Sequence, residues 1–307
     1  MVAMIQPLYN LVEKSWGRPG DILVYRTVKI FLNIFYPVYC RIFQRPLSPK
    51  VATKTIVSLT SFPPRIERLW MVIETLLRQS VRPEKLILWL SQEQFQSVSI
   101  LPKNLQRLQK IGLEIRLCDE LLSHKKYFYS MLEYPEYNVI TVDDDTFYPE
   151  NLVETLLECS NENPGTVCCY LAHEITFEAD SIRNYEDWVC GMKTKILGPS
   201  NVLVPIGSEG IFYPPGALDV QCFDRQKIKE LCPYADDLWL KTMSALNNIP
   251  VVKVRQKSFP FANIVYNFFG LKTSLSQLNN DMNMNNIQLA AITAEYPDLI
   301  AHLKKMD

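Results

Sequence analysis

The stretch Asn138-Val139-Ile140-Thr141-Val142-Asp143-Asp144-Asp145-Thr146-Phe147-Tyr148-Pro149 drives a short apolar run into three carboxylates, and Tyr148-Pro149 then turns the chain away. Val139, Ile140, Thr141 and Val142 favour a buried strand, because β-branched side chains pack well on a pleated surface. Three adjacent carboxylates at the end of such a strand repel one another, and each resists losing its water. A hard divalent cation compensates for this, taking one or two carboxylates together with substrate phosphates. A polar turn at a strand end accounts for the same residues, and spacing alone leaves both readings open.

Upstream, strands and helices alternate. Thr55 to Thr60 reads as a strand stopped by Phe62-Pro63-Pro64, and Ile66 to Gln79 as an amphipathic helix with Leu69, Ile73, Leu76 and Leu77 on its inner face. Leu86–Leu90 and Leu113–Leu117 read as further strands with a helix over 101–110 between them, and a helix over 125–134 leads into the acidic strand. Downstream come a helix over 151–159 and a strand over 167–171. Alternation at this spacing predicts parallel strands joined by right-handed crossovers, with helices on both faces. Ligands bind beyond the carboxyl ends of such strands. Thr60-Ser61 and Asp143-Asp144-Asp145 both sit there, so one crevice can hold both, which favours the functional reading of the carboxylates.

Residues 178–200 show no clean period. Pro205 to Leu218 holds three glycines and three prolines around Phe212-Tyr213 and reads as a shaped loop, Gly giving unusual backbone angles and Pro fixing others. Asp236-Asp237 opens a helix running to Leu246. One carboxylate suffices to cap it, so the other is a candidate general base. Residues 250–254 read as an edge strand, the Asn-rich run 275–286 carries Asp281, and 287–304 reads as a helix.

Composition narrows the function. Hydrophobic content of 48% with 21% charged residues over 307 positions describes a well-cored globular chain. A formal charge of −1 gives no reason to expect nucleic acid as a partner. The chain has 10 glycines and no Gly-x-Gly-x-x-Gly or Walker loop, which disfavours a glycine phosphate cradle. Eight cysteines without a Cys-x-x-Cys, and three scattered histidines, disfavour a zinc site and a disulfide framework, so reduced thiols in the cytoplasm are expected.

Met1 to Trp16 shows neither the basic start nor the small-residue cleavage site of a signal peptide. Val24, Val28, Phe31, Leu32, Phe35, Val38, Tyr39 and Ile42 then recur at helical spacing, with Arg26, Lys29, Asn33 and Arg41 opposite. Such a basic amphipathic helix either lies in a membrane interface or packs on protein. Charges and Pro37 interrupt it too often for a span. Peripheral contact with the inner membrane face is therefore expected of this segment.

Taken together, Ser58-Leu59-Thr60-Ser61-Phe62-Pro63-Pro64-Arg65, Lys125-Lys126, Thr141 to Pro149, Gly207 to Pro215 and Ala235 to Leu240 resemble, over residues 54–256, metal-dependent glycosyltransferases of the GT-A fold. The likeness is to the family 2 kind that builds bacterial surface polysaccharides. It implies an α/β, Rossmann-like, mostly parallel sheet flanked by helices in residues 51–258, with an N-terminal amphipathic helical segment (1–50) and a C-terminal helical extension (259–307).

The resemblance makes Asp143-x-Asp145 the DxD motif. Asp145, with Asp143, then holds Mn²⁺ or Mg²⁺ at the diphosphate of a nucleotide-sugar donor, where a cation stabilises the leaving group. Thr60, Ser61, Arg65, Lys125, Lys126, Asp143 and Asp144 form the donor set. An extended chain would send Asp144 to the side opposite Asp143 and Asp145. At least one of the two lysines is expected to be a solvated surface charge. Asp237 or Asp236 is the implied base for an inverting transfer to a glycan or lipid-linked acceptor, with Glu209, Gly210 and Trp239 shaping the acceptor pocket. An additional histidine metal ligand, seen in some relatives, has no counterpart, since only His302 lies near the end and His173 reads as structural. Two alternatives stand beside this: a sugar nucleotidyltransferase, disfavoured by the lack of glycine after the first strand, and a non-catalytic carbohydrate-binding protein on the same fold.

Overall fold

The computed structural model describes residues 3–43, 48–254, 259–265 and 283–305. Strands β1 (Val51–Thr60), β2 (Arg82–Ser91), β3 (Leu113–Cys118) and β4 (Asn138–Thr141) form the parallel half of a seven-stranded sheet. The other half holds β5 (Val167–Cys169), β10 (Ile211–Tyr213) and β11 (Val251–Lys253), in the order β11-β5-β10-β4-β1-β2-β3. This is the mixed α/β class expected from the sequence, a mostly parallel sheet flanked by helices.

Of the elements missed by sequence, β10 matters most. It lies antiparallel between β4 and β5, so the supposed loop over 205–218 contributes a central strand. Ile211, Phe212 and Tyr213 are all buried there, and full burial of such side chains is worth about 1.5–3 kcal/mol each. Two small pairs lie outside the main sheet: β6 (Ala172–Glu174) with β9 (Leu203–Pro205), and β7 (Phe177–Glu178) with β8 (Ser181–Ile182).

Helices α3 (Leu69–Leu77), α4 (Lys103–Gln109), α5 (Lys125–Glu133) and α6 (Leu152–Glu162) follow successive strands and cover the sheet. Beyond α7 (Arg225–Leu231) and α8 (Asp236–Leu246), the tail folds as α9 (Met284–Glu295) and α10 (Leu299–Lys304). The single helix expected over 287–304 is split at Tyr296-Pro297, where proline removes a backbone donor and crowds the preceding turn. Asp281 and most of the Asn-rich run lie outside the described residues, as do the domain-boundary positions at 255–258.

The N-terminal segment forms α1 (Ile5–Ser15) and α2 (Asp21–Ile42). Both pack into the core: Ile5, Tyr9 and Val12 of α1 and Val28, Leu32 and Tyr36 of α2 are buried with the sheet's hydrophobic residues. The Glu150 carboxylate accepts from the amides of Met4, Ile5 and Gln6 at 2.6–2.9 Å, satisfying free donors at the start of α1. The apolar set expected on one stripe of α2 divides between two faces. Val28 and Leu32 point inward, whereas Phe31, Phe35, Val38 and Ile42 are exposed beside Arg26 and Arg41.

Candidate active site

The carboxyl ends of β1 and β4 lie side by side, Ser58 pairing with Thr141. That register brings Ser61 and Arg65 to the acidic turn. The strand stops at Thr141, one residue short of the Val139–Val142 run that favours it, and Asp144 and Asp145 occupy a turn. Asp144 is the buried member, its side chain 7% exposed against 34% for Asp143 and 23% for Asp145. Ser61 Oγ donates to Asp144 at 2.6 Å, and the Arg65 guanidinium ion-pairs with Asp144 and, at 3.1 Å, with Asp145. Asp143 and Asp145 are thus the more accessible pair. The strict alternation does not hold, since Asp144 and Asp145 share one arginine while Asp143 turns to Lys126. Burial, which outweighs Arg65, pushes the Asp145 carboxyl up to about 6.

Lys126 is the cation at the centre of the site. Its ammonium lies 2.7 Å from Asp143 and 2.9 Å from Asp236, and it is almost fully buried. Burial alone would discharge it, but Asp143, Asp236 and Asp237 together hold it protonated. Neither lysine is a surface charge. Lys125 is also buried, ion-paired with Glu120 and not with the three carboxylates.

Asp236 and Asp237 lie in the first turn of α8, and neither side chain caps the helix. Burial works against an ionised Asp236, yet Lys126 holds its carboxyl below the usual range. Asp237 is different: burial and the neighbouring Asp236 push it up to about 7. Its Oδ2 accepts from the Gly207 amide at 2.9 Å, while Oδ1 has no hydrogen-bond partner among the described residues. A Cβ at position 207 would sit 2.9 Å from Asp237 Oδ1 and 3.0 Å from Lys126 Nζ, so any side chain there must push one of them away. His124, buried beneath this pair between Tyr127 and the Cys232 carbonyl, is pushed down to about 4 by burial.

Other expected residues have different roles. Thr60 donates to the Trp89 carbonyl and fastens β1 to β2. Trp239 is fully buried, its indole N–H directed at the Cys222 carbonyl, so it belongs to the core and lines no acceptor pocket. Glu209 is buried too. Its Oε2 accepts from the Phe261 amide at 2.9 Å, and burial pushes its carboxyl up to about 8. Gly210 has φ +89°, and a Cβ there would approach Leu152 at 3.1 Å, so its contribution is backbone shape. His173 accepts from the Gly191 amide, as a structural histidine does.

Two participants escaped sequence reasoning. Tyr148 Oη accepts from the Asp143 amide at 2.8 Å and donates to the Ser208 carbonyl at 2.9 Å, joining the acidic turn to the 207–209 turn. The Gly207 amide is the other. The aromatic beside the acidic run and the Gly-Ser-Glu-Gly spelling were the available signals.

No cluster of three or more His, Cys, Asp or Glu side chains forms a ready metal cage among the described residues. Asp143 and Asp145 nonetheless suit the sparser mode in which a hard cation takes one or two carboxylates and completes its shell with ligand oxygens.

No protein-family model matches this chain, and no curated protein does. Solved structures do. The chain is similar to residues 1–349 of S. aureus TarS in complex with UDP, at 11% identity and TM-score 0.42, covering 69% of this chain and 60% of that one. It is similar to the mannosyltransferase PcManGT from Pyrobaculum calidifontis in complex with GDP-Man and Mn²⁺, at 10% identity and TM-score 0.43, covering 97% and 86%. It is also similar to a CMP:2-keto-3-deoxy-manno-octonic acid synthetase complexed with CTP, at 14% identity and TM-score 0.36, covering 67% and 90%. The chain spans less than two thirds of the TarS chain. At these identities and TM-scores the likenesses decide neither substrate nor reaction.

Proposed function

We propose that the chain transfers a sugar from a nucleotide-sugar donor to a hydroxyl of a glycan or lipid-linked acceptor, with inversion at the anomeric carbon. The observation that carries this reading is the joining of two unlike carboxylate groups by one buried ammonium. Asp143 and Asp145 form an accessible pair at the sheet's carboxyl edge, and Asp237 has an unpartnered Oδ1 and a pKa near neutrality.

Asp145 and Asp143 are the residues that would hold Mn²⁺ or Mg²⁺, and the ion would supply positive charge at the leaving diphosphate. Arg65, fixed by Asp144, keeps a second cation beside the same turn. On the acceptor side, Asp237 takes the proton from the attacking hydroxyl through Oδ1. The Gly207 amide fixes its orientation, and the Asp236–Lys126 ion pair keeps Asp236 ionised, so the proton goes to Asp237.

A thermal-shift panel of nucleotide sugars with and without Mn²⁺ tests this directly. One nucleotide class should raise the melting temperature only when metal is present. A panel without any metal-dependent response overturns the proposal.

A further inference from the structure

Among the described residues, none covers the apolar outer face of α2. Its buried residues (Val28, Leu32 and Tyr36) lie on one side, and on the other Ile30, Ile34 and Ile42 are 61%, 55% and 65% exposed. Phe31, Phe35 and Val38 complete the strip, with Phe31 and Phe35 stacked at 4.6 Å between ring centroids. Monomeric proteins seldom leave so continuous an apolar strip in water. The exposed residues of α2 include Arg26 and Arg41, one near each end, and no carboxylate.

That charge pattern selects the occupant. A two-fold contact between copies must be self-complementary, and this strip would set arginines against a surface with no acid to answer them. Anionic lipid headgroups supply the missing charge, while the rings and branched chains enter the acyl boundary and the arginine stems extend outward to the headgroups. None of the described helices is long and apolar enough to cross a membrane, so the helix would lie flat.

The opposite face of α2 ties this strip to the carboxylates. Asn33 Oδ1 accepts from the Val265 amide at 2.8 Å and its Nδ2 donates to the Asn263 carbonyl at 3.0 Å. The segment so held pairs with the acidic turn: the Ile264 amide donates to the Asp145 carbonyl at 2.6 Å, and the Phe147 amide to that of Ala262 at 2.9 Å.

We infer that α2 is an in-plane membrane anchor for anionic bilayers and that, through Asn33, it holds the acidic turn at a fixed station above the lipid. The anchor does not depend on the reaction proposed for the site. If the transferase reading holds as well, the acceptor is amphiphilic and is met at the bilayer surface.

Co-sedimentation of the full chain with vesicles tests the anchor without any assay of activity. Binding to phosphatidylcholine vesicles containing phosphatidylglycerol, weakened by salt and weaker on phosphatidylcholine alone, is expected. Phe31→Ser with Phe35→Ser should lower the bound fraction about tenfold, since each removes apolar surface from the interface. Arg26→Glu with Arg41→Glu should abolish the preference for phosphatidylglycerol. Val220→Ser, at an exposed apolar position outside α2 (78% exposed), should change nothing. Melting curves establish that each variant is folded. Wild-type protein that stays in the supernatant with both vesicle types overturns the proposal. So does a dimer in sedimentation velocity that Phe31→Ser with Phe35→Ser dissociates while vesicle binding is unchanged.

Discussion

Two carboxylate groups share this site, and their surroundings treat them differently. At the 143–145 turn, Arg65 spans Asp144 and Asp145 while two of the three side chains remain partly open. At the start of α8, Asp236 is buried and Asp237 half-buried, and Lys126 ion-pairs with Asp236 at 2.9 Å. The contrast separates their chemistry. Partly open, charge-balanced carboxylates suit an incoming cation and diphosphate. Two adjacent carboxylates served by one ammonium push one member towards neutrality, which suits a base.

The sharpest way to break the contrast is to remove the shared ammonium. Lys126→Met leaves Asp143, Asp236 and Asp237 without it and should cost about 3–5 kcal/mol of stability, the range for breaking a buried ion pair. Urea unfolding measures this, and an unchanged midpoint would mean that the carboxylates are not held by that charge. Gly207→Ala acts more locally. The new Cβ would displace the Asp237 carboxylate, and turnover should fall about 100-fold, as expected for a catalytic group moved by about an ångström. The circular dichroism spectrum should stay as it is.

The two regions were not equally readable in the sequence. The β-branched run into three carboxylates announced the 143–145 turn, hydrophobic periodicity announced α3, and the Asp236-Asp237 pair announced the start of α8. β10 was hidden because three residues between Gly210 and Pro214 are too few for a period, although Ile211-Phe212-Tyr213 has high strand propensity. The role of Trp239 was misjudged because a helical aromatic next to a functional pair looks the same in sequence whether it faces the core or a ligand. The links that join the regions are long-range: Lys126 to Asp236, Tyr148 to Ser208 and Glu209 to Phe261 are separated by 52 to 110 positions. No local pattern encodes them.

Smaller effects sharpen the same contrast. With Asp237 pushed up to about 7, turnover should rise with pH through neutrality, falling about tenfold for each unit below the inflection as the base is protonated. A flat profile between pH 5 and about 8 would remove Asp237 from that role. Glu209 gives the mildest case. Its folded-state pKa, about 8, lies above the ordinary 4.5, so the native state binds the proton more tightly than the unfolded chain. Its contribution is therefore full below the ordinary value and is lost as pH rises towards 8. Glu209→Gln keeps an acceptor for the Phe261 amide and should raise the melting temperature at pH 8 while leaving it nearly unchanged at pH 5. A variant that melts in parallel with wild type at both pH values would contradict the assignment.

The division of labour itself is tested most directly by titrating a nucleoside diphosphate, with and without Mn²⁺, into wild type, Asp145→Ala and Asp237→Asn by calorimetry, alongside each protein's turnover. The account predicts that Asp145→Ala loses the metal-dependent binding, whereas Asp237→Asn binds as wild type does and loses turnover by about 10²–10⁴-fold, the usual contribution of a positioned base. Metal-dependent binding that survives in Asp145→Ala, or turnover that survives in Asp237→Asn, would contradict it.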